Sequence, residues 1–165
     1  MTLSPPWRKF VLLLHITSSV GFMGAVAGFV ALAGAGLTAG TSPLALAVYP
    51  AMHIVTWYVI VPLALASVVI GVIQSLGTPW GLFRYYWVII KLAMSLVALG
   101  LLLLQTDTVD RLSTMASAGS LDGMMRSRFS MVLHGTGGLV VLLAANVLSV
   151  YKPRGVTRYG ASRMA

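Results

Sequence analysis

Four long apolar runs, almost free of charge, constrain this chain more than any other feature of its sequence. They cover residues 10–37, 44–76, 85–104 and 129–151. Each reaches the roughly 20 residues that a helix needs to cross a hydrocarbon core of about 30 Å. Because unpaired backbone groups are not tolerated in lipid, we expect each run to be a membrane-spanning helix. Charged residues make up only 8% of the chain, whereas about a quarter is usual in soluble domains.

The connections predict how these helices are arranged. Residues 38–43 and 77–81 are short turns that contain Gly and Pro, which favours antiparallel neighbours. Residues 106–128 form a longer polar connection, in which 107–118 has the pattern of a short surface helix. The sequence therefore predicts an all-α fold, an antiparallel four-helix transmembrane bundle that forms one domain over residues 1–165. The first run is longer than the ~7–15-residue core of a secretory signal, so we expect an uncleaved first span.

Basic residues predict the orientation of the bundle. Seven of them flank the spans on one side and three on the other. Positively charged loops stay in the cytoplasm, so both termini are predicted to be cytoplasmic and the 106–128 loop extracytoplasmic. The larger group is Arg8, Lys9, Arg84, Lys152, Arg154, Arg158 and Arg163, and the smaller one is Arg111, Arg126 and Arg128. Because these residues flank spans, the basic excess indicates topology and contact with the lipid bilayer, not nucleic-acid binding.

Four polar residues inside the spans are the candidates for function, since buried polar groups in a membrane are costly. Counting residues from the middle of each span places His53 and His134 at similar depth in the outer leaflet. The same count places His15 and Lys91 on the cytoplasmic side. The spans contain no acidic residue, which argues against a cation-coupled transporter.

The outer pair suggests a b-type haem. Two imidazoles from facing helices are common axial ligands of membrane haems, so His53 and His134 are the predicted iron ligands, with His15 as an alternative partner of His134. Gly138 on one side and Trp57 on the other would form a pocket for a flat macrocycle. Arg126 and Arg128 lie just outside His134, where haem propionates would need cations. The predicted function is electron transfer or ligand sensing, with a quinone or redox protein as partner.

Other interpretations remain open. A lone histidine in a span often only bonds a neighbouring helix. His15 and Lys91 form a second polar site in which Lys91 either reaches the cytoplasmic surface or binds an acidic headgroup, a quinone oxygen or a propionate. The histidines and Lys91 would alternatively line the polar path of a small transporter or channel subunit. A structural or assembly subunit of a membrane complex is the third interpretation.

The sequence also argues against several chemistries. It has no cysteine, which excludes thiolate metal sites, and no hydrolase, zinc-protease or nucleotide-binding motif. The absence of these motifs argues against those enzyme classes and leaves open whether the protein catalyses another reaction. A stripe of Gly and Ala in the first run, which includes Gly21, Ala25 and Gly28, favours close helix packing and a homo-oligomer.

Several segments resemble a group of small four-span bacterial membrane proteins that is described only as uncharacterised. The resemblance lies in LHITSSVG (14–21), QSLGTPWGLFR (74–84), VIIKL (88–92), HGTGG (134–138) and KPRG (152–155). It covers most of the chain. It implies a location in the bacterial inner membrane, and it implies no activity.

Overall fold

A computed structural model describes residues 3–162, and this part of the chain is almost entirely helical. Four long helices and a short one follow each other: α1 (Pro5–Thr38), α2 (Pro43–Leu76), α3 (Tyr86–Ser117), α4 (Met125–Tyr151) and α5 (Arg158–Ser162). The four long helices contain 27 to 34 residues and are apolar enough to cross a membrane. At 1.5 Å per residue even the shortest measures about 40 Å. The chain is therefore an all-α, multi-pass membrane protein.

Proline and glycine determine where these helices begin and turn. Pro5 and Pro43 occupy the first turns of α1 and α2, where the missing N–H has no helical partner to lose. Gly40 and Gly81 have φ angles of 64° and 63°, a conformation that glycine adopts without strain. They turn the chain between α1 and α2 and between α2 and α3, close to where the sequence predicts turns.

Helix α2 is interrupted in its middle by a single π-helical turn over Thr56–Ile60. Pro62 follows this turn. Because proline has no N–H, the helical bond that it would donate four residues back is missing, and the wider turn accommodates the change. The sequence predicts a kink or a freed carbonyl at Pro62, and the structure has this wider turn just before it.

Helix α3 is longer than the sequence predicts. The predicted surface helix at 107–118 is wrong, because α3 continues without a break from Tyr86 to Ser117. Residues 101–117 contain no Gly or Pro to end the helix. Val109, Leu112 and Ala116 follow each other at helical spacing and are at most 4% exposed. They pack into the protein core rather than onto lipid, so the polar residues Asp107 and Asp110 lie on the extension of a spanning helix.

The buried core lies toward the end of the molecule that holds the α1–α2 connection. Helix α1 packs against α2 and α4, and α3 packs against the same two helices. The largest apolar side chains that are almost completely buried are Tyr49, Met52, Ile60, Leu112 and Met131. The half of the molecule that holds the start of α1 and the end of α4 buries fewer side chains, and a cavity lies there.

Hydrogen bonds join the segments that lie outside the long helices at this end of the molecule. The backbone N–H of Leu3 donates to the carbonyl of Gly77 at 3.0 Å, and that of Tyr86 donates to the carbonyl of Gly155 at 3.2 Å. Thr157 donates from its hydroxyl to the carbonyl of Phe83 at 2.7 Å. The chain after α4 is therefore joined to the α2–α3 connection.

Candidate binding site

Polar side chains from all four long helices line a cavity of about 380 Å³, which we call the polar cavity. On α1, α3 and α4 they are spaced three or four residues apart, and on α2 Ser67 and Gln74 are two turns apart, which puts them on one face of each helix. The residues are His15 and Ser19 on α1, Ser67, Gln74 and Ser75 on α2, Lys91 and Ser95 on α3, and Asn146 and Ser149 on α4. The bundle thus turns a polar strip of every helix toward one interior space.

Lys91 and His15 meet inside the polar cavity. The Nζ atom of Lys91 lies 3.4 Å from Nε2 of His15. An ammonium has donors only, so Nε2 of the imidazole is the acceptor and the ring is neutral in this contact. Its Nδ1 atom then carries the proton. This atom is buried and, within residues 3–162, has no hydrogen-bond partner.

Gly71 on α2 makes room for the imidazole. A Cβ atom at this position would lie 2.9 Å from Cε1 of His15. Glycine is therefore required for the observed position of the ring. On the following turn, Oε1 of Gln74 is also buried and lacks a hydrogen-bond partner within the same part of the chain. Nδ1 of His15 and Oε1 of Gln74 are therefore packed against protein and belong to the wall of the cavity.

The polar cavity carries positive charge without a counter-charge. Lys91 and Lys152 both line it, and Nζ of Lys152 lies 5.1 Å from the ring centroid of Trp80. The chain has three acidic residues, Asp107, Asp110 and Asp122. None of them is among the lining residues in the described part of the chain. The positive charge of the lining is therefore not balanced by an acidic side chain of the described residues within the cavity.

A second cavity, also of about 380 Å³, lies beside the first and is almost wholly apolar. We call it the apolar groove. It lies between α3 and α4, and its lining includes Phe22, Val26 and Phe29 of α1. Phe22 and Leu142 line both cavities, so the two spaces adjoin.

The sequence-predicted haem residues lie in different places. His134 and Gly138 line the apolar groove, together with Gly135 and Gly137. Nδ1 of His134 lies 2.9 Å from the carbonyl oxygen of Ser130 on its own helix. This contact holds the imidazole of His134 against the preceding turn of α4.

The structure gives His53 and Trp57 a different partner. Nε2 of His53 lies 3.4 Å from Oδ1 of Asp110, and Nε1 of Trp57 donates to the same oxygen at 2.8 Å. Neither residue is among the described residues that line the groove. Axial ligation by His53 and His134 stays a prediction. The alternative pair, His15 with His134, is divided between the polar cavity and the groove.

Arg128 has a structural position that sequence reasoning missed. Its side chain is only 3% exposed. It donates to the hydroxyl of Tyr49 at 2.8 Å and to the carbonyls of Gly36 at 2.5 Å and Gly40 at 2.7 Å. Gly36 lies in the last turn of α1, where backbone acceptors lack helical donors, and Gly40 lies in the connection that follows. The guanidinium therefore ties the end of α1 to the start of α4, instead of facing a haem propionate.

Two sequence signals would have found these features. An arginine in the first turn of a helix is unfavourable for the dipole of that helix, which points to a partner elsewhere for Arg128. Polar residues at helical spacing, such as Asn146 and Ser149, indicate a shared polar face beyond His15 and Lys91.

Residues 3–162 contain no group of three or more His, Cys, Asp or Glu that would suit a metal ion. Neither a protein-family model, nor a curated protein, nor a solved structure matches the chain.

Proposed function

We propose that this chain is a bacterial inner-membrane protein that binds a small anion in the polar cavity, as a carrier or as the binding subunit of a transport system. The observation that carries this proposal is the contact between Lys91 and His15. A charged amine in a membrane helix normally reaches water or meets a carboxylate. Here it meets a neutral imidazole, in a cavity with a second ammonium and no acidic lining residue in the described chain.

The energetics favour an anionic ligand. Taking an ammonium out of water costs free energy, which an opposite charge and hydrogen bonds offset. An anion in the polar cavity would accept a hydrogen bond from Lys91 and would lie near the second ammonium, that of Lys152. Binding would thus neutralise a charge that no acidic lining residue balances in the described part of the chain.

We further propose an antiparallel bundle with both termini in the cytoplasm. The hydrogen bonds of Leu3 to Gly77 and of Tyr86 to Gly155 support this arrangement, because they join the segments before α1, between α2 and α3, and after α4. The excess of basic residues in the same segments supports the cytoplasmic side. The polar cavity then opens in the cytoplasmic half of the bundle.

Equilibrium binding to the purified full-length protein in a neutral maltoside detergent tests the proposal. Inorganic phosphate and glycerol 3-phosphate are titrated against the wild type, Lys91→Met and Lys9→Met. The last variant loses the same charge at an exposed position and serves as the control. We expect saturable binding that Lys91→Met weakens by about tenfold or more, whereas Lys9→Met leaves it unchanged. Absence of saturable binding, or equal binding by Lys91→Met, contradicts the proposal.

Flux measurements separate a carrier from a binding subunit. Liposomes that contain the protein and phosphate inside are diluted into phosphate-free buffer, and the release rate is compared with liposomes that contain Lys91→Met. Release that depends on Lys91 identifies a carrier. Binding without release identifies a binding subunit.

A haem b protein is the second candidate function, and one observation favours it. The bond between Nδ1 of His134 and the carbonyl of Ser130 leaves Nε2 as the free ring nitrogen, which is the usual state of a histidine that binds a metal. Gly137 and Gly138, whose added Cβ atoms would meet nothing within 4 Å, leave space for a flat ligand. The second predicted ligand, His53, faces Asp110 instead, so the residues of the groove fit a bis-histidine haem only in part. The absorption spectrum after expression with added haem tests this candidate, which requires a Soret band that His134→Ala abolishes.

A further inference from the structure

The polar cavity and the apolar groove lie next to each other along α1, α3 and α4. On α3 the lining passes from Lys91 and Ser95 in the polar cavity to Val97, Leu101 and Gln105 in the groove. The stretch from Ser95 to Gln105 measures about 15 Å at helical rise. Phe22 on α1 and Leu142 on α4 line both parts. A single elongated molecule can therefore occupy both spaces.

The polar cavity and the apolar groove differ as the headgroup and the acyl chains of a lipid do, since one is polar and the other apolar. One end carries two ammonium groups and several hydroxyl and amide groups. The other end carries mostly aliphatic and aromatic side chains and three glycines. Val97 and Leu133 line the groove and are 60% and 58% exposed, so the groove opens toward the surrounding hydrocarbon. In a bilayer the groove is filled by acyl chains, because water is excluded at that depth.

We infer that the anion bound by this protein is the headgroup of an anionic phospholipid, with one acyl chain in the apolar groove. This inference rests on the proposed function and specifies its ligand. The phosphate accepts a hydrogen bond from Lys91, and Lys152 contributes a second positive charge. Trp80 and Lys152 lie together at the polar end, which is the pairing of aromatic and basic residues found at the headgroup level of membranes. The acyl chain extends from there past Phe22 and Leu142 toward Gln105.

The headgroup charge selects the class of lipid. Lysine binds phosphate as a point charge without strict geometry, and the polar cavity has no acidic lining residue in the described chain to bind the amine of a zwitterionic headgroup. A phosphatidylcholine would bring its cationic choline close to Lys91 and Lys152. Phosphatidylglycerol has the same phosphate and a neutral glycerol, which the hydroxyl and amide groups of the cavity can bind.

The groove offers a variant that fills it without disturbing the fold. A Cβ atom added to Gly138 would meet nothing within 4 Å, so Gly138→Leu places its side chain in the open space of the groove. Gly24 on α1 has equally open surroundings and lines neither cavity in the described structure. Gly24→Leu is therefore the matched control for any general effect of leucine in place of glycine.

Native mass spectrometry of the purified protein, released from neutral detergent, tests the inference. Phosphatidylglycerol and phosphatidylcholine with identical acyl chains are added in turn, and inorganic phosphate is titrated separately by calorimetry. We expect phosphatidylglycerol to bind about tenfold more tightly than phosphatidylcholine. Lys91→Met should remove most of this preference. Gly138→Leu should weaken phosphatidylglycerol binding about tenfold and leave phosphate binding unchanged, and Gly24→Leu should match the wild type.

The outcomes separate the inference from the function on which it rests. If phosphate binding depends on Lys91 but Gly138→Leu binds phosphatidylglycerol as the wild type does, the lipid inference is overturned and the proposed function stands. Equal binding of the two lipids overturns the inference in the same way. If neither phosphate nor phosphatidylglycerol binding depends on Lys91, both proposals are overturned.

Discussion

The ammonium of Lys91 on α3 lies 3.4 Å from Nε2 of His15 on α1, across the polar cavity. These two helices are diagonal in the bundle, because each of them packs mainly against α2 and α4. The contact therefore crosses the middle of the protein. It brings a charged donor and a neutral acceptor together where most membrane bundles bury apolar side chains.

This contact predicts that removal of the Lys91 ammonium weakens anion binding but does not lower the stability of the fold. In the ligand-free protein, replacing Lys91 with Met removes a partly buried charge and keeps a long apolar side chain. We expect Lys91→Met to raise the free energy of unfolding by about 1 kcal/mol, as replacement of poorly compensated buried charges often does. Thermal unfolding in maltoside detergent without added anion measures this, with Lys9→Met as the control. A clear loss of stability would show that Lys91 holds the fold together.

Gly71 provides a second prediction at the same site. A Cβ atom there would lie 2.9 Å from Cε1 of His15, so Gly71→Ala has to move the imidazole away from Lys91. We expect phosphate binding to fall by about tenfold. Gly24→Ala, with open space around its Cβ, should bind as the wild type does. Unchanged binding by Gly71→Ala would mean that the position of the His15 ring does not matter for the anion.

Arg128 predicts the largest loss of stability among the variants considered. Arg128→Met leaves the carbonyls of Gly36 and Gly40 without this donor, at a buried site. Because hydrogen bonds to a charged group contribute about 1.5–3 kcal/mol each, we expect a loss of roughly 3 kcal/mol or more in the free energy of unfolding. Arg126 is exposed, so Arg126→Met should stay within about 0.5 kcal/mol of the wild type. Equal stability of the two variants in a thermal unfolding series would contradict the capping role.

Tyr49 supplies an independent test of the same interaction. Its hydroxyl accepts from Nε of Arg128 at 2.8 Å, and Tyr49→Phe removes only that acceptor. We expect a loss of about 1.5–3 kcal/mol. Tyr58 is 76% exposed, and Tyr58→Phe is the matched control. In the Arg128→Met background, Tyr49→Phe should cost much less, because the partner is already absent. Full additivity of the two losses would show that the residues act separately.

For Asp110 we expect only a small effect on the free energy of unfolding, in contrast to Arg128. It accepts from the indole of Trp57 and lies close to His53, but the side chains of His53 and Asp110 are 37% and 43% exposed. Exposed ion pairs contribute at most about 1 kcal/mol, so Asp110→Ala should change the free energy of unfolding by less than that. Chemical unfolding in detergent checks this against Asp122→Ala. A loss as large as that of Arg128→Met would assign Asp110 a structural role that its exposure does not predict.

The sequence predicts the helices well and the site only in part, for one physical reason. A bilayer requires long apolar helices, so hydropathy and the turns near Gly40 and Gly81 locate the spans. Counting residues then gives the depth of a side chain, which is enough to group His15 with Lys91. It does not give the direction in which a side chain points around the helix axis. His53 and His134 were paired by depth alone, but the structure turns His53 toward Asp110.

Two further features depend on contacts that no local pattern contains. The length of α3 follows from the packing of Val109 and Leu112 into the core, which a polar stretch with two aspartates does not reveal. The burial of Arg128 depends on the end of α1, about ninety residues earlier in the chain. Such long-range partners are set by how the helices meet.

The hydrogen bonds that Phe83 and Tyr86 form with Thr157 and Gly155 can arise only late in the synthesis of the chain. Both partners follow all four spans in the chain, so they leave the ribosome only after the last span has been synthesised. Until then the translocon holds a protein whose connection between α2 and α3 lacks these bonds. The cytoplasmic end of the proposed bundle is therefore the last part to be completed, and a ribosome that stalls before residue 155 leaves it open.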